Sequence, residues 1–110
     1  MGQISILGEL EQMVLLAVLR LDEPYPVSVR DEIRDRTNVS LSRGTIYVTL
    51  HRLERRGLVK SSLGEPTGVR GGKAKRVFEV TANGRRALRA SRAALRKLGD
   101  GLESILDGRS

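Results

Sequence analysis

The sequence predicts a mainly α fold with a small β-hairpin, and three observations carry that reading. Apolar residues recur at helical spacing in four segments, two short segments alternate as strands do, and glycine and proline fall between them. A chain of 110 residues holds one small core and buries only about 60 to 70% of its unfolded surface, so self-association would add to its stability.

Between Leu7 and Leu21 the residues Leu7, Leu10, Val14, Ala17, Val18 and Leu21 fall on one stripe, which predicts a first helix facing a core. Met13, Leu15, Leu16 and Leu19 lie off that stripe, so the helix is apolar almost all round and needs cover on a second side, which another subunit could supply. Asp22, Glu23 and Pro24 break the pattern. Pro26 then suits the first turn of a second helix that runs to about Thr37, with Val29 and Ile33 inward and Asn38 at its end. Ser42 suits an N-cap, and RGTIYVTLHRLERRG reads as a third helix that buries Ile46, Leu50 and Leu53 and closes on Gly57.

LVKSS and KRVFEV both alternate, with Phe78 and Val80 on one face, and the intervening LGEPTGVRGGKA predicts a hairpin with a long tip. Thr81 can N-cap a last helix from about Ala82 to Leu106, in which Leu88, Leu95, Leu98, Leu102 and Ile105 keep heptad spacing apart from Ser91. Gly99 and Gly101 weaken that helix by about 1 kcal/mol each relative to alanine. Three helices followed by a two-stranded hairpin, with the third helix apolar on one side and basic on the other, describe a winged helix-turn-helix. The expected division is a winged-helix DNA-binding domain over residues 1–81 and a C-terminal dimerisation helix over residues 82–110.

The net charge of +7 is unevenly placed. Residues 1–40 carry four Lys/Arg against seven Asp/Glu, residues 41–97 carry fifteen against three, and residues 98–110 carry one against three. A basic middle on this scale points to a polyanion, since phosphates favour clustered cations through counterion release. The absence of cysteine removes disulfides, thiolate metal sites and cysteine nucleophiles together. The start, MGQISILGELEQ, has no basic stretch ahead of an apolar run and does not read as a secretory signal; Ile6 stands where myristoylation of Gly2 needs Ser or Thr. The longest apolar run, Met13 to Leu19, falls well short of the roughly 18 residues that span a bilayer, so a cytoplasmic chain with no membrane partner is expected.

Rotation by about 100° per residue from Ile46 turns Tyr47, Val48, His51, Arg52 and Arg55 away from the core stripe, where base and phosphate contacts must originate. Ser42, Arg43 and Thr45 join them at the N-terminal end. In the wing, Arg70, Gly71, Gly72, Lys73, Lys75 and Arg76 are the expected DNA contacts: the glycines allow close approach and the cations meet phosphates or reach into a minor groove. Met13, Leu15, Leu16, Leu19, Leu88, Leu95, Leu98, Leu102 and Ile105 are the expected dimer interface.

A nucleotide-binding loop is the rival reading of GVRGGKA. It fails because Thr67 rather than glycine stands five residues before Gly72, Ala74 stands where Ser or Thr is needed, and a strand follows instead of a helix. His51 is the only histidine and has no cysteine or evident carboxylate partner, which favours a DNA-facing role over metal or base chemistry. Asp31, Glu32 and Asp35 alternate with Arg30, Arg34 and Arg36, so pairing along a solvated helix face explains them better than acid–base catalysis. No catalytic constellation and no cofactor are implied.

SRGTIYVTLHRLERRGLV followed by RGGKAKRVFEVTANGRRAL resembles the PadR family of transcriptional regulators over about Leu7 to Leu88. The recognition-helix pattern is carried by Gly44, Tyr47, Leu50, Arg52, Leu53, Glu54, Gly57 and Leu58. The wing pattern is carried by Gly71, Gly72, Lys73, Lys75 and Arg76, then Phe78, Thr81 and Gly84. The resemblance implies a dimeric repressor whose C-terminal helix packs on the first helix of the other subunit. Val77 stands where relatives often have a second aromatic, and the single C-terminal helix is shorter than in members with an extended C-terminal region. A small-molecule effector is a partner that the resemblance allows and the sequence does not support, because members that hold aromatic effectors use tryptophan at the dimer interface and this chain has none.

The expected function is therefore a homodimeric, sequence-specific regulator of double-stranded DNA, acting as a repressor on a two-fold symmetric operator. The alternative is a basic RNA-binding or protein-interaction module that uses the winged fold without reading sequence. What separates them is preference: a regulator favours its own site by roughly 10³ or more over random DNA.

Overall fold

The computed structural model describes residues 6–64 and 75–108. Three helices, α1 (Glu9–Arg20), α2 (Pro26–Thr37) and α3 (Arg43–Arg55), precede two antiparallel strands, β1 (Val59–Leu63) and β2 (Arg76–Val80); α4 (Ala82–Gly99) and the short α5 (Glu103–Leu106) follow. This is a mainly helical winged helix with a two-stranded hairpin, as the periodicity predicts.

Local chemistry explains the boundaries. Pro26 opens α2 where its missing N–H costs no helical hydrogen bond, and Asn38 ends the helix in the left-handed conformation at φ 63°, its N–H donating to the Arg34 carbonyl at 2.9 Å. The Ser42 hydroxyl accepts from the Thr45 N–H at 3.0 Å and so caps α3. At the other end Gly57 takes φ 75°; its N–H reaches the Glu54 carbonyl at 3.0 Å and the Leu58 N–H reaches the Leu53 carbonyl at 2.9 Å, a Schellman closure that a side chain at position 57 would strain. Thr81 caps α4 by accepting from the Gly84 N–H at 3.0 Å while donating to the Gly57 carbonyl at 2.7 Å.

One core joins these elements. Val14 and Leu15 from α1, Val29 from α2, Ile46, Leu50 and Leu53 from α3 and Val59 from β1 are almost wholly shielded, and Phe78, Val80 and Leu88 close the hairpin and α4 over them. Strand register runs from Val59 opposite Val80 to Leu63 opposite Arg76. The Phe78 N–H also donates to the Pro24 carbonyl at 3.0 Å, which fastens the α1–α2 connection along the free edge of β2.

Two expectations need correction. Leu15 and Leu88, predicted at an interface between subunits, are 0% and 5% exposed within the protomer itself. The reason is that α1 touches α2, α3, β2 and α4, so its core-facing arc is wider than a single stripe and includes Leu15, while the first half of α4 lies on the same core. The last helix is also not continuous to Leu106. It ends at Gly99; Asp100 is extended and Gly101 turns left-handed at φ 84° before α5 begins. From Leu95 onward the chain is largely exposed, so no packing within the protomer offsets the helix penalty of two glycines separated by one residue. The heptad seam is consequently broken between Leu98 and Leu102.

Candidate nucleic-acid interface

Helix α3 divides cleanly by face. Ile46, Leu50 and Leu53 are buried, together with Thr49, whose hydroxyl donates to the Thr45 carbonyl at 2.7 Å and so enters the core with its polar atom satisfied. On the other side Tyr47, Val48, His51, Arg52 and Arg55 are exposed and line one shallow concavity. Tyr47 is 52% exposed, so its ring, and not its hydroxyl alone, stands in solvent. Arg43 is exposed in the first turn, and the hydroxyls of Ser42 and Thr45 lie 2.8 Å apart at the cap.

Among the described residues no carboxylate pairs with Arg43, Arg52 or Arg55. Helix α2 shows the contrast: Asp31 lies 3.4 Å from Arg30 and 3.3 Å from Arg34, Asp35 lies 3.2 Å from Arg34, and Glu32 accepts from Arg36 at 2.6 Å. The α2 charges form the paired, solvated face that their alternation predicts.

Of the wing residues, Arg70, Gly71, Gly72 and Lys73 lie outside the described residues. Lys75 and Arg76 stand at the loop end of the paired strands, and both are exposed and engaged. The Lys75 Nζ sits 5.3 Å from the centroid of the Tyr25 ring, within cation–π range. The Tyr25 hydroxyl in turn donates to Glu23 at 2.6 Å, and that hydrogen bond to a carboxylate raises the phenol above its ordinary value. Arg76 Nη1 donates to the Ser61 Oγ at 2.9 Å, and the Ser61 hydroxyl donates to Glu54 Oε2 at 2.6 Å.

Sequence reasoning missed this chain of contacts. Alternation alone places Arg76 on the face of Phe78, and the register brings Ser61 opposite Phe78, but nothing in the sequence sets the register or turns that face toward the end of α3. Nor does all of the basic middle belong to the α3 face and the wing. Arg85, Arg86, Arg89, Arg92, Arg96 and Lys97 lie on α4, which carries no acid at all. Among the described residues no helix is long and apolar enough to cross a membrane.

Comparison with known proteins agrees with this architecture. Residues 15–90 match the model of the transcriptional regulator PadR-like family. The transcriptional regulator Rv3488 of Mycobacterium tuberculosis is 43% identical over 70 residues, which is 64% of this chain and 59% of that protein's length. Among solved structures, a PadR family transcription regulator from Clostridium difficile superposes with a TM-score of 0.74 at 21% identity, over 90% of this chain and 99% of that one. A PadR-like transcriptional regulator from Bacillus cereus gives 0.71 at 18% identity, over 88% and 90% of the two chains. The structural likenesses show the winged-helix fold, the family match covers more than half of the sequence, and the chain therefore belongs to the PadR-like family of transcriptional regulators.

Proposed function

We propose that the protein is a cytoplasmic homodimeric repressor that occupies a two-fold symmetric operator on double-stranded DNA. The observation that carries this reading is the two-sidedness of α3: three core residues anchor one face, and Tyr47, Val48, His51, Arg52 and Arg55 present a cationic concavity with no carboxylate partner for its arginines among the described residues. A helix of this kind enters a major groove with its N-terminal residues toward base edges, so Ser42, Arg43 and Thr45 belong to the same surface. The wing follows the backbone through Arg70, Gly71, Gly72, Lys73, Lys75 and Arg76.

Dimerisation is assigned to the apolar residues that the protomer leaves uncovered. Leu19, Leu95, Leu98, Leu102 and Ile105 are exposed, and Met13 and Leu16 line a groove between α1 and α2 with Ile33. The winged helix over residues 1–81 reads DNA and residues 82–110 join the subunits, with the first half of α4 serving the protomer core as well. Exchange of these surfaces about a two-fold axis sets the two α3 helices to read half-sites about 34 Å apart.

Selection of bound duplexes from a random pool tests the reading. A recovered two-fold symmetric motif, favoured by roughly 10³ over random duplex, is the expected result. Equal binding to every duplex, or preference for single-stranded RNA, would replace it with the reading of a basic module that does not recognise sequence.

A further inference from the structure

We propose that Glu54 and Ser61 are positioning residues for DNA recognition: together they hold the Arg76 guanidinium in a set place between α3 and the wing, so that base reading and backbone contact share one geometry. The inference rests on the DNA-regulator reading above and adds to it a role for two residues that do not themselves touch DNA.

The hydrogen bonds have a forced direction. A serine hydroxyl has one proton to give. Ser61 gives it to the Glu54 carboxylate at 2.6 Å, which leaves its oxygen lone pairs for the Arg76 N–H at 2.9 Å. Each link has an ionised group at one end, and such hydrogen bonds are roughly twice as strong as neutral ones. Breaking the middle link therefore releases both ends.

The location fits the role. Ser61 lies opposite Phe78 in the strand register, and Arg76 is two residues before Phe78 on the same face, one step further from the core. Glu54 stands seven residues after Tyr47, about 20° away around α3, so it belongs to the flank that Tyr47 shares and not to the Arg52 side. An acid beside a phosphate-binding surface repels DNA unless its charge is answered, and here Arg76 answers it through Ser61. Of the five N–H donors of Arg76 one is used among the described residues, and the others can meet a phosphate oxygen. The opposite edge of the hairpin is held independently by Lys75 over Tyr25 and by the Phe78 N–H on the Pro24 carbonyl. The relay consequently fixes a lateral setting of the wing toward α3 that those contacts leave free.

The test uses the full chain, a duplex recovered by the selection described above and a scrambled duplex of the same composition. Ser61→Ala leaves net charge unchanged and should lower affinity for the selected duplex about tenfold while changing the scrambled duplex by less than about twofold. Ser61→Thr, which keeps the hydroxyl, should bind like the wild type. Arg76→Ala should cost less in the Ser61→Ala background than in the wild type, because the guanidinium is no longer held in place.

Wild-type affinity of Ser61→Ala for the selected duplex, an equal cost of Arg76→Ala in both backgrounds, or a Ser61→Thr as weak as Ser61→Ala would each overturn the relay while leaving the regulator reading in place. A wild type that prefers no duplex would overturn the regulator reading itself, and the relay's role in recognition with it. Thermal unfolding of each variant separates these outcomes from loss of the fold, since a merely structural serine would lower binding to both duplexes together.

Discussion

The backbone N–H of Leu7 donates to the Oγ of Ser91 across 2.9 Å, a buried hydrogen bond between residues 84 positions apart. It fastens the entry to α1 onto the middle of α4, and Gln12 Nε2 holds the Leu7 carbonyl at 3.0 Å from the other side. Ser91 is 1% exposed. The residue that interrupts the heptads of the last helix is thus a polar member of the protomer core.

Ser91→Ala should therefore destabilise the fold by about 1 to 3 kcal/mol, the cost of leaving a buried N–H without its acceptor. Ser91→Leu, which would complete the heptad, should be worse still because a larger side chain must enter a filled site. Urea unfolding measures both. A Ser91→Leu protein more stable than the wild type would show that position 91 belongs to a subunit seam instead.

Gly84 sits where α4 meets the α3–β1 turn. A Cβ there would lie 2.1 Å from the Leu58 carbonyl oxygen and 2.8 Å from Val80 Cγ1, so Gly84→Ala must push backbone apart. A loss of about 1 to 3 kcal/mol or more is expected, read as a lowered melting temperature. By comparison Gly99→Ala meets nothing within 4 Å and should be neutral or stabilising.

Base reading and backbone contact should separate by mutation. Arg52→Ala or Thr45→Ala should cost about 1 to 3 kcal/mol on the preferred duplex and little on random duplex. Lys73→Ala with Arg76→Ala should weaken both duplexes and flatten the slope of log affinity against log salt, because phosphate contacts release counterions regardless of sequence. An unchanged slope with an intact fold would move the wing away from the phosphates.

Assembly is tested by ending the chain after Ala94, or by Leu98→Asp with Leu102→Asp. Both leave Leu88 and Ser91 in the protomer core and remove exposed apolar surface beyond them. A monomer that binds a half-site weakly and a palindrome hardly better is expected. Sedimentation reports the mass and footprinting the length of the site. A truncated protein that stays dimeric and protects both half-sites would place the interface on α1 alone.

Where local chemistry decides structure, the sequence by itself was sufficient. Pro26, Asn38, Ser42, Gly57 and Thr81 mark helix ends by conformational and hydrogen-bonding preferences that act within a few residues, and each marks one in the fold. The outward set of α3 was equally legible, because the period of a helix fixes which residues oppose Ile46, Leu50 and Leu53. Tertiary structure alone decided what depends on distant partners. Leu15 lies off the first helix's stripe and is buried nonetheless because α1 is covered on several sides; Leu88 and Ser91 face the protomer although they lie on a heptad helix; Gly84 is needed because of Leu58, 26 residues earlier. The Glu54–Ser61–Arg76 contact likewise requires a strand register and a hairpin orientation. The physical reason is that a residue's period states which way it points along its own element, whereas its burial and its partners depend on what the rest of the chain brings to that side.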